Sequence, residues 1–248
     1  MVPPRRRPPD IPELFLGLLA IAVAGVLMTH ILSETVRETR RSRDTITVTG
    51  SAKKPISANL VRWTISVSSE APTAARAARR LRGDSATVRK FLTRAGIPGN
   101  AISSSVVSSQ KVVERLPHNE RRTHYVVAQR LEVSTREIDA VEPVATRIGQ
   151  LIERGIGVSA QPLEYYSTEL TQAKLDVLEA ATEDARKRAE ILVHGLGGKL
   201  GRMRASSLGV FQVVPRDSTE VSDYGINDTS SREKDATAVV SATFAVKH

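Results

Sequence analysis

Residues 61–68 read Val-Arg-Trp-Thr-Ile-Ser-Val-Ser, apolar and polar side chains in strict alternation. Successive side chains of a strand point to opposite faces, so a period of two marks a strand with one buried and one wet face. Trp63, the single tryptophan, falls on the apolar face and reads as a core anchor. A strand buried on one face needs helices on that face and strands beside it. The flanking sequence supplies both.

Upstream, Ile46-Thr47-Val48-Thr49-Gly50 is a short alternating strand that Lys53-Lys54-Pro55 is expected to break. Downstream, Glu70-Ala71-Pro72-Thr73 opens a helix whose apolar residues include Ala74, Ala78, Leu81, Val88 and Leu92, and which Gly96 and Pro98 end. Ile102–Val113 and Tyr125–Val133 read as two strands joined by a polar turn, which makes an antiparallel hairpin. On the second of them Tyr125, Val127, Leu131 and Val133 share a face, and Arg130 and Glu132 point the other way. A second helix follows Ile138, with Val141, Val144, Ile148, Leu151 and Ile152 as its expected buried stripe.

Leu163–Ser167 is a brief strand, and Ser167 or Thr168 is expected to cap the longest helix, which runs to about His194. Leu170, Ala173, Val177, Ala181, Ala185, Ala189, Leu192 and Val193 form its expected inner side, and the alanines permit close approach. Strand-like residues 203–214 come next, then a polar stretch, 215–235, that reads as a mobile loop. Ala238, Val240, Ala242, Phe244 and Val246 alternate in a closing strand. Strand pairs in succession, with helices between the groups, indicate an α+β body of antiparallel sheets packed with helices, not a doubly wound parallel sheet.

The N-terminal region differs in kind. Residues 14–32, LFLGLLAIAVAGVLMTHIL, contain no Asp, Glu, Lys or Arg. As a helix they cover roughly 28 Å, about the hydrocarbon thickness of a bilayer, and we read them as a transmembrane helix. Residues 1–13 read as a disordered basic tail, residues 33–44 as a polar stalk, and 45–248 as the folded domain. Arg5, Arg6 and Arg7 favour a cytoplasmic N-terminus and an exported body, although Arg37, Arg40, Arg41 and Arg43 follow the apolar run. Ala22-Val23-Ala24 before Gly25 resembles a signal-peptidase site. Against cleavage, the apolar run continues past Ala24, and Asp10 and Glu13 sit where signal peptides lack acid.

The absence of cysteine excludes disulfides, thiolate metal sites and a cysteine nucleophile. Aromatics make up 4% of the chain, too few for a base-stacking surface. The net charge of +9 comes without a nucleic-acid recognition motif, so no nucleic-acid partner is expected. None of His30, His118, His124, His194 and His248 has a tight metal-ligand spacing. Glu183 and Asp184 diverge around their helix, and Gly195-Leu196-Gly197-Gly198 follows a helix where a phosphate cradle precedes one. We therefore assign no catalytic, cofactor-binding or metal-ligating residue, and expect no enzyme.

Taken in order, ITVTGSAKKP (46–55), VSSEAPTAARAA (67–78), LTRAGIPGNAISSSVV (92–107), HYVVAQRLEV (124–133) and LEAATEDARKRAEILVHGLGGKLG (178–201) resemble the SIMPL-domain (DUF541) family. His124 replaces the family's usual glycine, and Pro55-Ile56 stands where a Pro-Asp pair is common. The resemblance implies an envelope protein, secreted or anchored in the inner (cytoplasmic) membrane with a periplasmic or extracytoplasmic body. It also implies a link to stress resistance and assembly into oligomers, and carries over no catalytic residue. The function expected is oligomeric assembly or partner binding in the cell envelope, with the membrane held through residues 14–32. The partners expected are further copies of the chain and an envelope protein. Two alternatives stand beside it: an enzyme with a dispersed hydrolytic site, and a module that binds envelope polymers or anionic lipid.

Overall fold

The computed structural model describes residues 44–115, 117, 120–218 and 224–247. The expected tail, transmembrane helix and most of the stalk lie outside the described residues, as do His30, His118 and His248. Among the described residues no helix is long and apolar enough to cross a membrane.

The described chain is α+β. In order it forms β1 (Thr45–Ser57), β2 (Leu60–Ala71), α1 (Ala74–Arg94), β3 (Ile102–Ser104), β4 (Ser108–Arg115) and β5 (Arg121–Thr135). Then come α2 (Ile138–Arg147), α3 (Gly149–Glu153), β6 (Gly157–Ala160), β7 (Glu164–Tyr166) and α4 (Leu170–Gly195). β8 (Lys199–Leu208), β9 (Gln212–Pro215) and β10 (Glu233–Lys247) close it. One sheet runs β1-β10-β8, with β9 antiparallel to β10. The other runs β3-β5-β2-β6, with β4 beside β5 and β7 beside β2, and every pair in it is antiparallel.

The chain divides into two compact units. The larger comprises 50–184 and 208–240 and holds the whole six-stranded sheet. On its inner face Val61, Trp63, Ile65 and Val67 of β2 and Leu131 and Val133 of β5 are 0–1% exposed. They pack against Ala77, Leu81, Val88 and Leu92 of α1 and Val141 and Val144 of α2. The Trp63 indole N–H donates to the Gln161 carbonyl at 3.0 Å, which meets the need of a buried donor. Thr73 caps α1, and Gly96 at φ +97° ends it with Ile97 N–H bonded back to the Leu92 carbonyl. In the same unit Val177 and Ala181 meet Ala238 and Val240. The smaller unit, described over 44–49, 185–207 and 241–247, is built on Ala185 and Ala189 against Val48, Ala242 and Phe244.

Several expectations change. Lys53-Lys54-Pro55 does not break β1, which continues to Ser57. β1 is an edge strand, where a residue without an N–H is tolerated. Residues 102–113 are two strands, not one. Ser104 pairs with Leu131 and Ser108 with Ala128, so Ser105, Val106 and Val107 oppose Gln129 and Arg130, three residues against two. This is a β-bulge. Ser105 stitches it, its N–H donating to the Arg130 carbonyl at 2.8 Å and its Oγ accepting from the Arg130 N–H at 3.0 Å. The second helix is interrupted at Ile148 and restarts as α3, so Leu151 is buried while Ile152 is 58% exposed. β6 arises from residues that carried no strand signal. Residues 203–214 divide between β8 and β9.

Replacing Trp63 by alanine should lower stability by about 3–5 kcal/mol, the range for emptying a buried aromatic site. The midpoint of urea unfolding, followed by circular dichroism, measures it.

Candidate functional site

Within the larger unit, the face of the six-stranded sheet opposite the Trp63 core is polar. Residues 62, 64, 66 and 68 of β2 alternate with the core positions, and Arg130 stands directly across from Ser66. A cleft of about 600 Å³ opens on this face. Thr64 and Ser66 form its floor, Arg130 one side, Gln161 to Glu164 the other, and Thr229 with Ser230 its end.

The walls are fixed by the fold. Gln161 is held through both backbone polar groups, its N–H to the Thr64 carbonyl at 2.9 Å and its carbonyl to the Trp63 indole. The Tyr165 N–H donates to the Thr229 carbonyl at 2.8 Å. Behind them lies Lys234, 2% exposed, whose ammonium donates to the Tyr165 carbonyl at 2.8 Å and to the Asp228 carbonyl. Its ion-pair partner is the Asp228 carboxylate, at 3.6 Å. That carboxylate also accepts from the Ser230 N–H and hydroxyl, at 3.0 and 2.7 Å, and from the Ser231 N–H at 3.1 Å. Arg232 reaches Asp139 at 2.6 Å and Glu142 at 3.7 Å, and Glu142 accepts from the Tyr165 hydroxyl.

Residues 215–235 were expected to form a mobile loop. Their described part is instead built in at 228–235, and Glu233, Lys234 and Asp235 belong to β10. Lysine 53 pairs with Asp235 at 2.8 Å, and the Asp217 N–H donates to the same carboxylate.

These environments shift proton affinities. Burial pushes the Asp228 carboxyl up, but the Ser230 and Ser231 donors and the Lys234 charge outweigh it, and the group lies below the usual carboxylate range. Asp235 is also lowered: burial opposes the shift, and Lys53, the Asp217 N–H and the Arg216 charge prevail. Burial lowers Lys234, with Asp228 pulling the other way. Burial and the bond to Glu142 push the Tyr165 hydroxyl up to about 12.

Among the described residues the Arg130 guanidinium has no hydrogen-bond or ion-pair partner. Glu164, across the cleft, accepts from the Tyr166 hydroxyl at 2.9 Å. A planar cation with several donors beside a hydroxyl floor has the chemistry to take a carboxylate or phosphate. Other polar groups do not converge on it. Ser69 donates to Asp84 at 2.6 Å on the core side of β2, whereas His124 stands on the other face with its Nε2 3.5 Å from Glu70. Among the described residues no group of three or more His, Cys, Asp or Glu is placed to hold a metal ion. Asp184 accepts the Ser51 N–H at 2.9 Å, and Gly195–Gly198 closes α4. The alternation along β5 put Arg130 on the wet face. No local pattern joined it to 161–164 and 229–230, because the cleft is assembled from segments far apart in the chain.

A SIMPL family model, described as a protein of unknown function (DUF541), matches residues 46–244. No curated protein matches the chain.

Folding stability carried by Asp228 and Asp235 should be fully present above the unfolded carboxylate value of about 4 and be lost as pH falls through their lower folded values. Asp228→Asn should flatten that acid limb. At pH 7 it should cost about 3–5 kcal/mol, because the Lys234 ammonium stays buried without its counter-ion. Urea titrations of both proteins across the acid range measure the two effects.

Proposed function

The chain belongs to the SIMPL (DUF541) family, and from that premise we propose that it is a membrane-anchored, exported envelope protein that acts by assembly or partner binding. In this reading residues 14–32 hold the inner membrane, the N-terminus is cytoplasmic, and the folded body works on the periplasmic or extracytoplasmic side. It acts by contact and not by turnover, without nucleic acid, in the stress resistance that the family resemblance implies.

The edge of the six-stranded sheet carries the assembly reading. β4 pairs with β5 along one side, and its residues are exposed almost throughout. Val106, Val107 and Val113 are 89%, 52% and 54% exposed along this edge. β4 and β5 also continue as a two-stranded ribbon past Tyr125, the last β5 residue paired with β2. An uncovered edge with aliphatic side chains is a template for another strand, and isolated two-stranded ribbons are marginal in water. A second copy of the chain meets both needs.

A second reading, binding of an anionic envelope polymer, is favoured by the unpaired Arg130 in its cleft. Arg130→Ala should weaken retention on isolated cell-wall material by about 10- to 100-fold, the effect of a lost charge-assisted hydrogen bond. Co-sedimentation measures it, and Arg130→Lys should keep part of the affinity.

For assembly, the detergent-solubilised full-length protein should give a mass above that of one chain by mass photometry. Val106→Asp with Val113→Asp should shift it toward the monomer while the melting temperature changes little, since both sites are exposed. A wild-type protein that is monomeric at every concentration contradicts the assembly reading.

A further inference from the structure

The smaller unit exposes aliphatic side chains that its core does not use. α4 ends in a reverse turn in which the Gly197 N–H bonds to the His194 carbonyl and the Gly198 N–H to the Val193 carbonyl, both at 3.0 Å. Gly197 takes φ +78°, a conformation that favours glycine. This backbone fixes Leu196 outward at 86% exposure. Ile191 and Leu192, in the last turns of the same helix, are 71% and 51% exposed. Beside Leu196 is a groove of about 380 Å³ lined by Asp44, Thr45, Ile46, Val193, Leu196 and Val246. Exposed His194, Lys199 and Lys247 are close to this turn in the chain or in the fold.

We propose that this turn and groove form a membrane-contact surface, with Leu196 entering the headgroup layer of an anionic bilayer. The inference rests on the reading of 14–32 as an anchor, and goes beyond it by naming the part of the body that meets the lipid. Chain length selects this occupant. Asp44 lines the groove and is twelve residues beyond Leu32, the end of the apolar run. Twelve residues span at most about 42 Å fully extended and about 18 Å as a helix. In the anchor reading the groove is therefore tethered within that distance of the bilayer. Exposed Lys199 and Lys247 complement anionic headgroups, while the aliphatic Leu196 tip buries in the interfacial layer.

Because the chain has no cysteine, single-cysteine variants report one position each. Full-length Leu196→Cys carries an environment-sensitive fluorophore and is reconstituted into vesicles of phosphatidylcholine and phosphatidylglycerol containing a lipid-attached quencher. Ser207→Cys is the control, exposed on the same unit and about 26 Å along β8 from Lys199. The emission at 196 should shift to the blue and be quenched at least twofold more than at 207. Equal quenching at both positions, in protein that floats with the vesicles, overturns the inference and leaves the anchor reading intact. A blue shift at 196 that depends on protein concentration and is insensitive to the quencher assigns the surface to a second copy and also overturns it. Protein that fails to float with the vesicles sinks the anchor reading, and the inference with it.

Discussion

The Trp63 indole N–H is buried and has to find an acceptor, and the acceptor it finds is the Gln161 carbonyl. That bond links the largest side chain of the core to one wall of the cleft on the opposite side of β2. β2 is paired along both flanks, with β5 on one and with β6 and β7 on the other. Its register is therefore not free. A slip of one residue exchanges the faces, placing Arg62, Thr64 and Ser66 in the core. The alternation that makes the hydrophobic layer thus also makes the hydroxyl floor, and one strand sets both the stability of the unit and the chemistry of its open side.

A second constraint is the buried ammonium of Lys234. Removing a charge from water is costly unless acceptors replace the hydration, and three oxygens do so: two backbone carbonyls and the Asp228 carboxylate. The carboxylate is itself satisfied by the serines that follow it. Residues 228–235 are consequently fastened to β7 and, through Arg232, to α2. Read locally, Asp-Thr-Ser-Ser-Arg-Glu-Lys-Asp is a solvated stretch without apolar periodicity. Its order comes from charges and donors supplied by distant segments, which hydropathy does not register.

The same distinction separates what was legible from what was not. Periodic burial was legible: Val61 to Val67, the β5 face, the hairpin and the alanine line of α4 follow from side-chain spacing within one segment. Pro55 was misread because its tolerance depends on β1 being an edge, a property of the sheet and not of the strand. The bulge at Ser105 was invisible for a similar reason. Both Ile102 and Val112 belong to strands, but the change of register between them exists only against β5. Of the cleft, sequence alone supplied the orientation of Arg130 and of the Thr64 and Ser66 floor. Gln161, Glu164, Thr229 and Ser230 join it through tertiary pairing.

α4 shows how a buried stripe goes out of phase. Ala173, Val177, Ala181, Ala185, Ala189 and Val193 are all buried and recur every four residues. A helix turns about 100° per residue, so each such step advances the buried line by about 40°, or roughly 200° over the five steps. On a straight cylinder Ile191 lies at the same angle as Ala173, since eighteen residues make about five turns. Ala173 is 7% exposed, and Ile191 71%. The burial therefore rotates around the helix. Leu192, one residue before buried Val193, is displaced by about 100° and left outside. Fitting a single straight stripe to this helix places Leu192 inside. The packing instead releases two large aliphatic side chains at the C-terminal end, and small alanines keep the contact close wherever the helix stays buried.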